Sequence, residues 1–176
     1  MATELLLPDG VVTSSNLTGA FADIDEGVDN FDGVYVTATG SNGNTLLVLS
    51  FPTPSGDLTT GAGLQTFRAR VRKDASGGNN PSVRLEVYEN GSPVGTVSGD
   101  TTVTSTTGVD ISFTWDASVL ALQDGSNVEI GIAQQSGGQG GPSRNRRWIE
   151  VDAADWTADY IGGGGGGGAY SFSTFF

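Results

Sequence analysis

The chain has 176 residues, 28 of them glycine, with 20 Asp and Glu against 8 Lys and Arg, and neither cysteine nor histidine. A formal charge of −12 repels nucleic acid and anionic membrane surfaces, and the missing Cys and His exclude thiol chemistry, disulfide staples and thiolate metal sites. The length suits one domain with its own core, and abundant Gly, Ser and Thr between short apolar runs predict an all-β chain with few helices.

In chain order, Leu5 to Leu7 ahead of Pro8-Asp9-Gly10 reads as a first strand and turn. Met1 to Pro8 has no basic region, and its apolar run is too short for a signal peptide or membrane helix, so synthesis and assembly in a cytoplasm are expected. Val34 to Thr39 and Thr45 to Phe51 read as strands, and Asn42-Gly43-Asn44 between them predicts a hairpin. Thr66 to Arg72 alternates, with Phe67, Ala69 and Val71 on one face and Arg68, Arg70 and Arg72 on the other. Ser82 to Tyr88 repeats the pattern with Val83, Leu85 and Val87 inward, and Asn90-Gly91 signals a tight turn before Pro93-Val94.

Further strands are predicted at Thr101 to Thr104, Ile111 to Trp115 and Val128 to Ile132, with a short helical turn capped by Asp116. Ser136 to Ser143 reads as a Gly/Gln loop, and Arg146 to Val151 as a returning strand with Ile149 and Val151 in the core. About eight to ten strands at this spacing predict a single antiparallel β-sandwich, jelly-roll or immunoglobulin-like. The domain is expected over 1–160, followed by a glycine linker at 161–168 and an aromatic arm at 169–176.

Several clusters invite a functional reading. The acidic stretch Asp23 to Gly33 offers oxygen ligands for Ca²⁺, but its spacing fails the EF-hand pattern at Gly27 and Val28, and solvated turns explain it equally well. Arg68, Arg70, Arg72, Lys73 and Arg84 offer a basic patch; cross-strand pairing with acidic residues such as Glu86 is the preferred reading. Arg144, Arg146 and Arg147 sit beside the Gly/Gln loop as contact candidates. Trp115 and Trp156 read as core, whereas Trp148 has the opposite parity to Ile149 and Val151, so it is expected exposed, as a sugar-stacking or protein-contact residue. No motif with a catalytic mechanism is found, so the chain is read as a non-enzyme with no cofactor.

The segment after Tyr160 is distinctive: seven glycines, Gly162 to Gly168, lead into Ala169-Tyr-Ser-Phe-Ser-Thr-Phe-Phe176. Tyr170, Phe172, Phe175 and Phe176 are apolar anchors on a linker whose root-mean-square reach is roughly 13 to 16 Å and whose taut limit is about 25 Å. They are expected to contact a neighbouring subunit, by filling a groove or extending a sheet.

Asn30-Phe-Asp-Gly-Val-Tyr-Val-Thr-Ala-Thr-Gly, Gly63 to Lys73, Val87-Tyr-Glu-Asn-Gly, Ser112-Phe-Thr-Trp-Asp and Asp155-Trp-Thr-Ala-Asp-Tyr resemble β-sandwich structural proteins of tailed bacteriophages. The likeness spans most of Asn30 to Tyr160 and implies a sandwich fold and a virion location, and it brings no site residues with it. The expectation is a capsid decoration or cement protein that binds the major capsid protein or other virion subunits through its arm. Homo-oligomers are expected, with no nucleic-acid or membrane partner. The alternatives are a carbohydrate-binding module of a tail fibre, with a glycan as partner, and a filament or tail-tube subunit joined by strand addition.

Overall fold

The computed structural model describes residues 1–39, 44–61, 64–96, 99–136 and 147–161. Twelve strands lie among them: β1 (Ala2–Leu6), β2 (Gly10–Ser15), β3 (Leu17–Thr18), β4 (Thr37–Ala38), β5 (Leu46–Ser50), β6 (Gln65–Lys73), β7 (Ser82–Glu89), β8 (Ser92–Thr96), β9 (Thr101–Thr102), β10 (Val109–Trp115), β11 (Val128–Ser136) and β12 (Ile149–Tyr160). Helical structure among the described residues is confined to 3-10 turns at Phe21–Asp23, Val28–Asn30 and Ala117–Val119. Asp116 caps the last of these by accepting a 2.8 Å hydrogen bond from the Ser118 amide, as a short acidic side chain does at a helix start.

The strands form two antiparallel sheets, ordered β1-β12-β6-β10 and β2-β5-β11-β7-β8, with β9 also on β7 and β3 paired with β4. Alternation builds the core. Phe67, Ala69 and Val71 of β6 and Val83, Leu85 and Val87 of β7 are fully buried and belong to one cluster that unites both sheets. Phe51, at the end of β5, meets Phe67 and Trp156 edge-on at centroid distances of 6.1 and 5.9 Å, and Trp115 lies 5.8 Å from Trp156. The chain is therefore an all-β sandwich, as its composition predicts.

Asn90 and Gly91 both take positive φ, 52° and 73°, the geometry a two-residue turn needs to match strand twist, and they join β7 to β8. The predicted hairpin between 34–39 and 45–51 does not form. Val36 bridges Val151 and β4 pairs with β3, whereas β5 lies between β2 and β11; the Asn42-Gly43 turn itself is outside the described residues, as is the Gly/Gln loop from residue 137. The strand count exceeds eight to ten because β3, β4 and β9 are two-residue pairings.

β12 is longer than Arg146 to Val151 suggested. It is central to its sheet, and its register on β6 shifts between Val151 and Ala153, so Asp152 is the extra residue of a β-bulge. The bulge resets the alternation. Glu150 and Asp155 then stand opposite Arg72 and Arg68 on the outer face, while Val151, Ala154 and Trp156 face the core.

Candidate functional site

The outer face of the β1-β12-β6-β10 sheet carries Arg68, Arg70 and Arg72, and it is closed rather than available. Residues 28–35 strap across it: Phe31 lies 3.6 Å from the Arg70 guanidinium and Tyr35 3.6 Å from that of Arg72, the stacking that a planar cation favours. Arg68 pairs with Asp155 and Asp29, Arg70 with Asp110, and Arg72 with Glu150. Lys73 is buried, its ammonium donating to the Gly77 carbonyl and Asn80 Oδ1. Arg84 belongs to the other sheet and pairs with Asp100. The basic patch is thus split between sheets: its four arginines are paired, as the pairing reading predicts, with aspartates and Glu150 rather than Glu86, and Lys73 is held by neutral acceptors.

In the acidic stretch, what the structure describes is ion pairing. Asp29 is committed to Arg68, and among the described residues no group of three or more acidic side chains is arranged to hold an ion.

Trp148 is a correction. It is 8% exposed, with its amide donating to Asp74 Oδ1 at 3.0 Å and its carbonyl accepting from the Asp74 amide. Parity misleads here because the start of β12 is covered on both faces, so neither alternation set is wet. Arg147 turns its guanidinium to the Gly77 and Ser76 carbonyls at 3.1 and 2.9 Å. Arg144, Arg146, Tyr170, Phe172, Phe175 and Phe176 lie outside the described residues.

A different surface, missed from sequence, combines an aromatic ring with carboxylates. On the outer face of the six-stranded sheet, Ser50, Glu129 and Tyr88 stand side by side across β5, β11 and β7, and Val48, Gly131 and Glu86 form the adjacent row. Directly opposed side chains are about 5 Å apart at Cβ, so these six positions make one small platform. Gly131 is central. A Cβ there would lie 2.9 Å from Tyr88 Cε2 and 3.5 Å from Val48 Cγ2, so the missing side chain is what lets the edge of the Tyr88 ring come close to β11.

The platform is polar around its ring. The Tyr88 hydroxyl donates to Glu86 Oε2 at 2.8 Å. Partial burial, then that hydrogen bond and the charges of Glu86 and Glu129, push the phenol up to about 12, so it remains a proton donor throughout the physiological range. Glu129 Oε2 is buried with no hydrogen-bond partner, which is costly because buried polar atoms are normally satisfied. Ser50 Oγ, at the end of the row, donates to Asp9 Oδ1 at 2.6 Å. An aromatic face flanked by acceptors on an ordered sheet suits a ligand with an apolar face and many hydroxyls. The sequence signal was Gly131 within Val-Glu-Ile-Gly-Ile, since a glycine inside a strand marks close approach.

No family model matches the chain, and no curated protein does. Among solved structures it is similar to "CBM35 from Cellvibrio japonicus Abf62" (13% identity, 91% of this chain and 95% of that one, TM-score 0.41). It is also similar to a CBM36-1 domain of a multidomain xylanase from the hindgut metagenome of Trinervitermes trinervoides (13% identity, 94% and 99%, TM-score 0.38). A third is described as "CBM4 structure and function" (19% identity, 89% and 88%, TM-score 0.35). Scores this low assign nothing to this chain, and the sandwich is read from its own sheets.

Proposed function

We propose that this chain is a non-catalytic binding domain for neutral, hydroxyl-rich glycans, with the platform of Tyr88, Glu86 and Glu129 as its contact surface. The observation that carries the reading is the Tyr88 ring, its edge seated against Gly131 and its neighbours across the sheet and along the strand the acidic residues Glu129 and Glu86. One face of a pyranose is largely C–H and packs on an aromatic ring. Its hydroxyls would donate to carboxylates, and hydrogen bonds to charged acceptors are roughly twice as strong as neutral ones. Two carboxylates at the site of a chain carrying −12 disfavour uronic and sialic acids, which narrows the ligand to uncharged sugars.

Glycan-array screening of the purified protein, followed by calorimetry on the best neutral oligosaccharide, tests this. Tyr88→Ala and Glu129→Gln are each expected to weaken binding about tenfold or more, with the fold retained by circular dichroism. Absence of any neutral-glycan binding, or binding indifferent to Tyr88→Ala, refutes the proposal.

A second reading, a phage virion subunit decorating a shell of major capsid protein, is favoured by the glycine-aromatic segment 162–176. Its measure is the copy number of the chain in purified particles, which a decoration protein keeps near parity with the capsid protein or at a simple lattice fraction.

A further inference from the structure

We propose that the aromatic segment 170–176 of one copy docks on a second copy, in the apolar pocket at the edge of the sandwich, with Phe172 as the inserted side chain. The pocket has a volume of about 100 Å³ and is lined chiefly by Val11, Leu17, Phe21, Val36 and Leu47, with Ser14 among its lining residues and no charged side chain. An apolar cavity of about 150 Å³ takes one benzene, so an open pocket of this size suits a single ring. It lies at the flank of the sandwich: β2 is the edge strand of its sheet among the described residues, and Val36, just before β4, bridges β12 of the other.

Two features identify the occupant. The segment Ala169 to Phe176 carries no charged side chain, matching an uncharged pocket on a chain that otherwise repels its own kind. In an extended strand Tyr170, Phe172 and Phe176 share one face, so the segment can lay alternate aromatics along the pocket while its backbone meets the edge of β2, which ends its sheet among the described residues, the geometry of strand addition.

Reach favours a second copy. Val36, in the pocket wall, bridges Val151, and β12 then runs nine residues to Tyr160, about 30 Å at strand rise. The connection from Tyr160 to Phe172, twelve residues, spans about 40 Å when taut and roughly 17 to 21 Å on average. Its own pocket is reached only with the connection stretched well beyond that average, forfeiting part of its conformational entropy. A neighbour's pocket imposes no such demand. This surface is independent of the glycan platform.

Sedimentation velocity of the full chain over a concentration series provides the test. Concentration-dependent association is expected, weakened about tenfold or more by Phe172→Ser and likewise by Ser14→Trp, which fills the pocket mouth from an exposed position. Mixing the two variants should restore one-sided heterodimers, because one keeps a pocket and the other an arm. A wild-type chain that stays monomeric throughout overturns the proposal, as does association unaffected by either substitution or a mixture that fails to pair.

Discussion

Arg68 and Asp155 are joined by two hydrogen bonds of 2.8 Å, Nε to Oδ1 and Nη2 to Oδ2, and the Asp155 carboxylate is fully buried. Its Oδ2 also accepts from the Val28 amide at 2.9 Å. One carboxylate thereby ties β12, β6 and the strap together. The guanidinium reaches on to Asp29, whose side chain is 72% exposed.

Breaking such a pair by removing one partner strands a buried charge, at about 3 to 5 kcal/mol. Arg68→Ala and Asp155→Ala are therefore expected to destabilise the domain by about 3 kcal/mol or more in urea unfolding. Asp29→Ala should change stability far less, because its side of the network is open to water. Equal effects at Asp29 and Asp155 would show that burial is not what sets the energetics here.

Asp152, the bulge residue, is buried without being paired so well. Arg70 Nε stands 3.6 Å from its Oδ2, and neither carboxylate oxygen makes a hydrogen bond of good geometry. Burial raises its pKa, as does the charge of Asp32; the Gly33 amide, Arg70 and Tyr35 offset part of this, and Glu26 faces the same region with its own pKa raised by burial. A carboxyl raised in the folded state contributes stability that is fully present below the ordinary carboxylate range, about pH 4, and is lost as pH rises through its folded pKa. Asp152→Asn should thus be more stable than the natural chain at pH 7, with the advantage shrinking to near zero by about pH 4. Paired unfolding curves across that range decide the matter, and a difference that does not vary with pH refutes it.

The parts of the fold that could be read from sequence are those in which local chemistry and global packing agree. β6 and β7 each bury one alternation set, Asn90-Gly91 has the turn its φ values require, and Asp116 caps a turn with its own side chain. What escaped was set by partners distant in sequence. The extra residue at Asp152 shifts the phase of β12, so Asp155 could not be recognised as a buried partner of Arg68. Residues 28–35 looked like solvated turns and a strand, yet they cover a sheet face because three arginines there demand anions and rings. Trp148 was misjudged for a related reason, since a strand covered on both faces carries no wet parity. The Tyr88 platform depends on β11 lying next to β7, which no local pattern announces.

Tyr88 supplies a direct spectroscopic check on that platform. Its phenol is pushed up to about 12 by partial burial and then by the hydrogen bond and charge of Glu86. Because the folded-state value is raised, the stability it contributes is present below the ordinary phenol value of about 10 and lost as pH rises through about 12. Tyr88 should therefore ionise about two pH units later than an exposed phenol when followed by ultraviolet phenolate absorbance, and a Tyr35→Phe background isolates it from Tyr35, which burial also raises. Glu86→Gln keeps the side-chain shape, removes the charge and weakens the hydrogen bond, so it should move that late transition to lower pH while leaving the other tyrosines in place. Gly131→Ala would press a Cβ against the ring edge at 2.9 Å and lift it from β11, returning the same transition toward the ordinary value by admitting water. A Tyr88 transition unmoved by both substitutions would mean that neither the carboxylate nor the close seat against Gly131 governs the ring, and the platform would lose its physical basis.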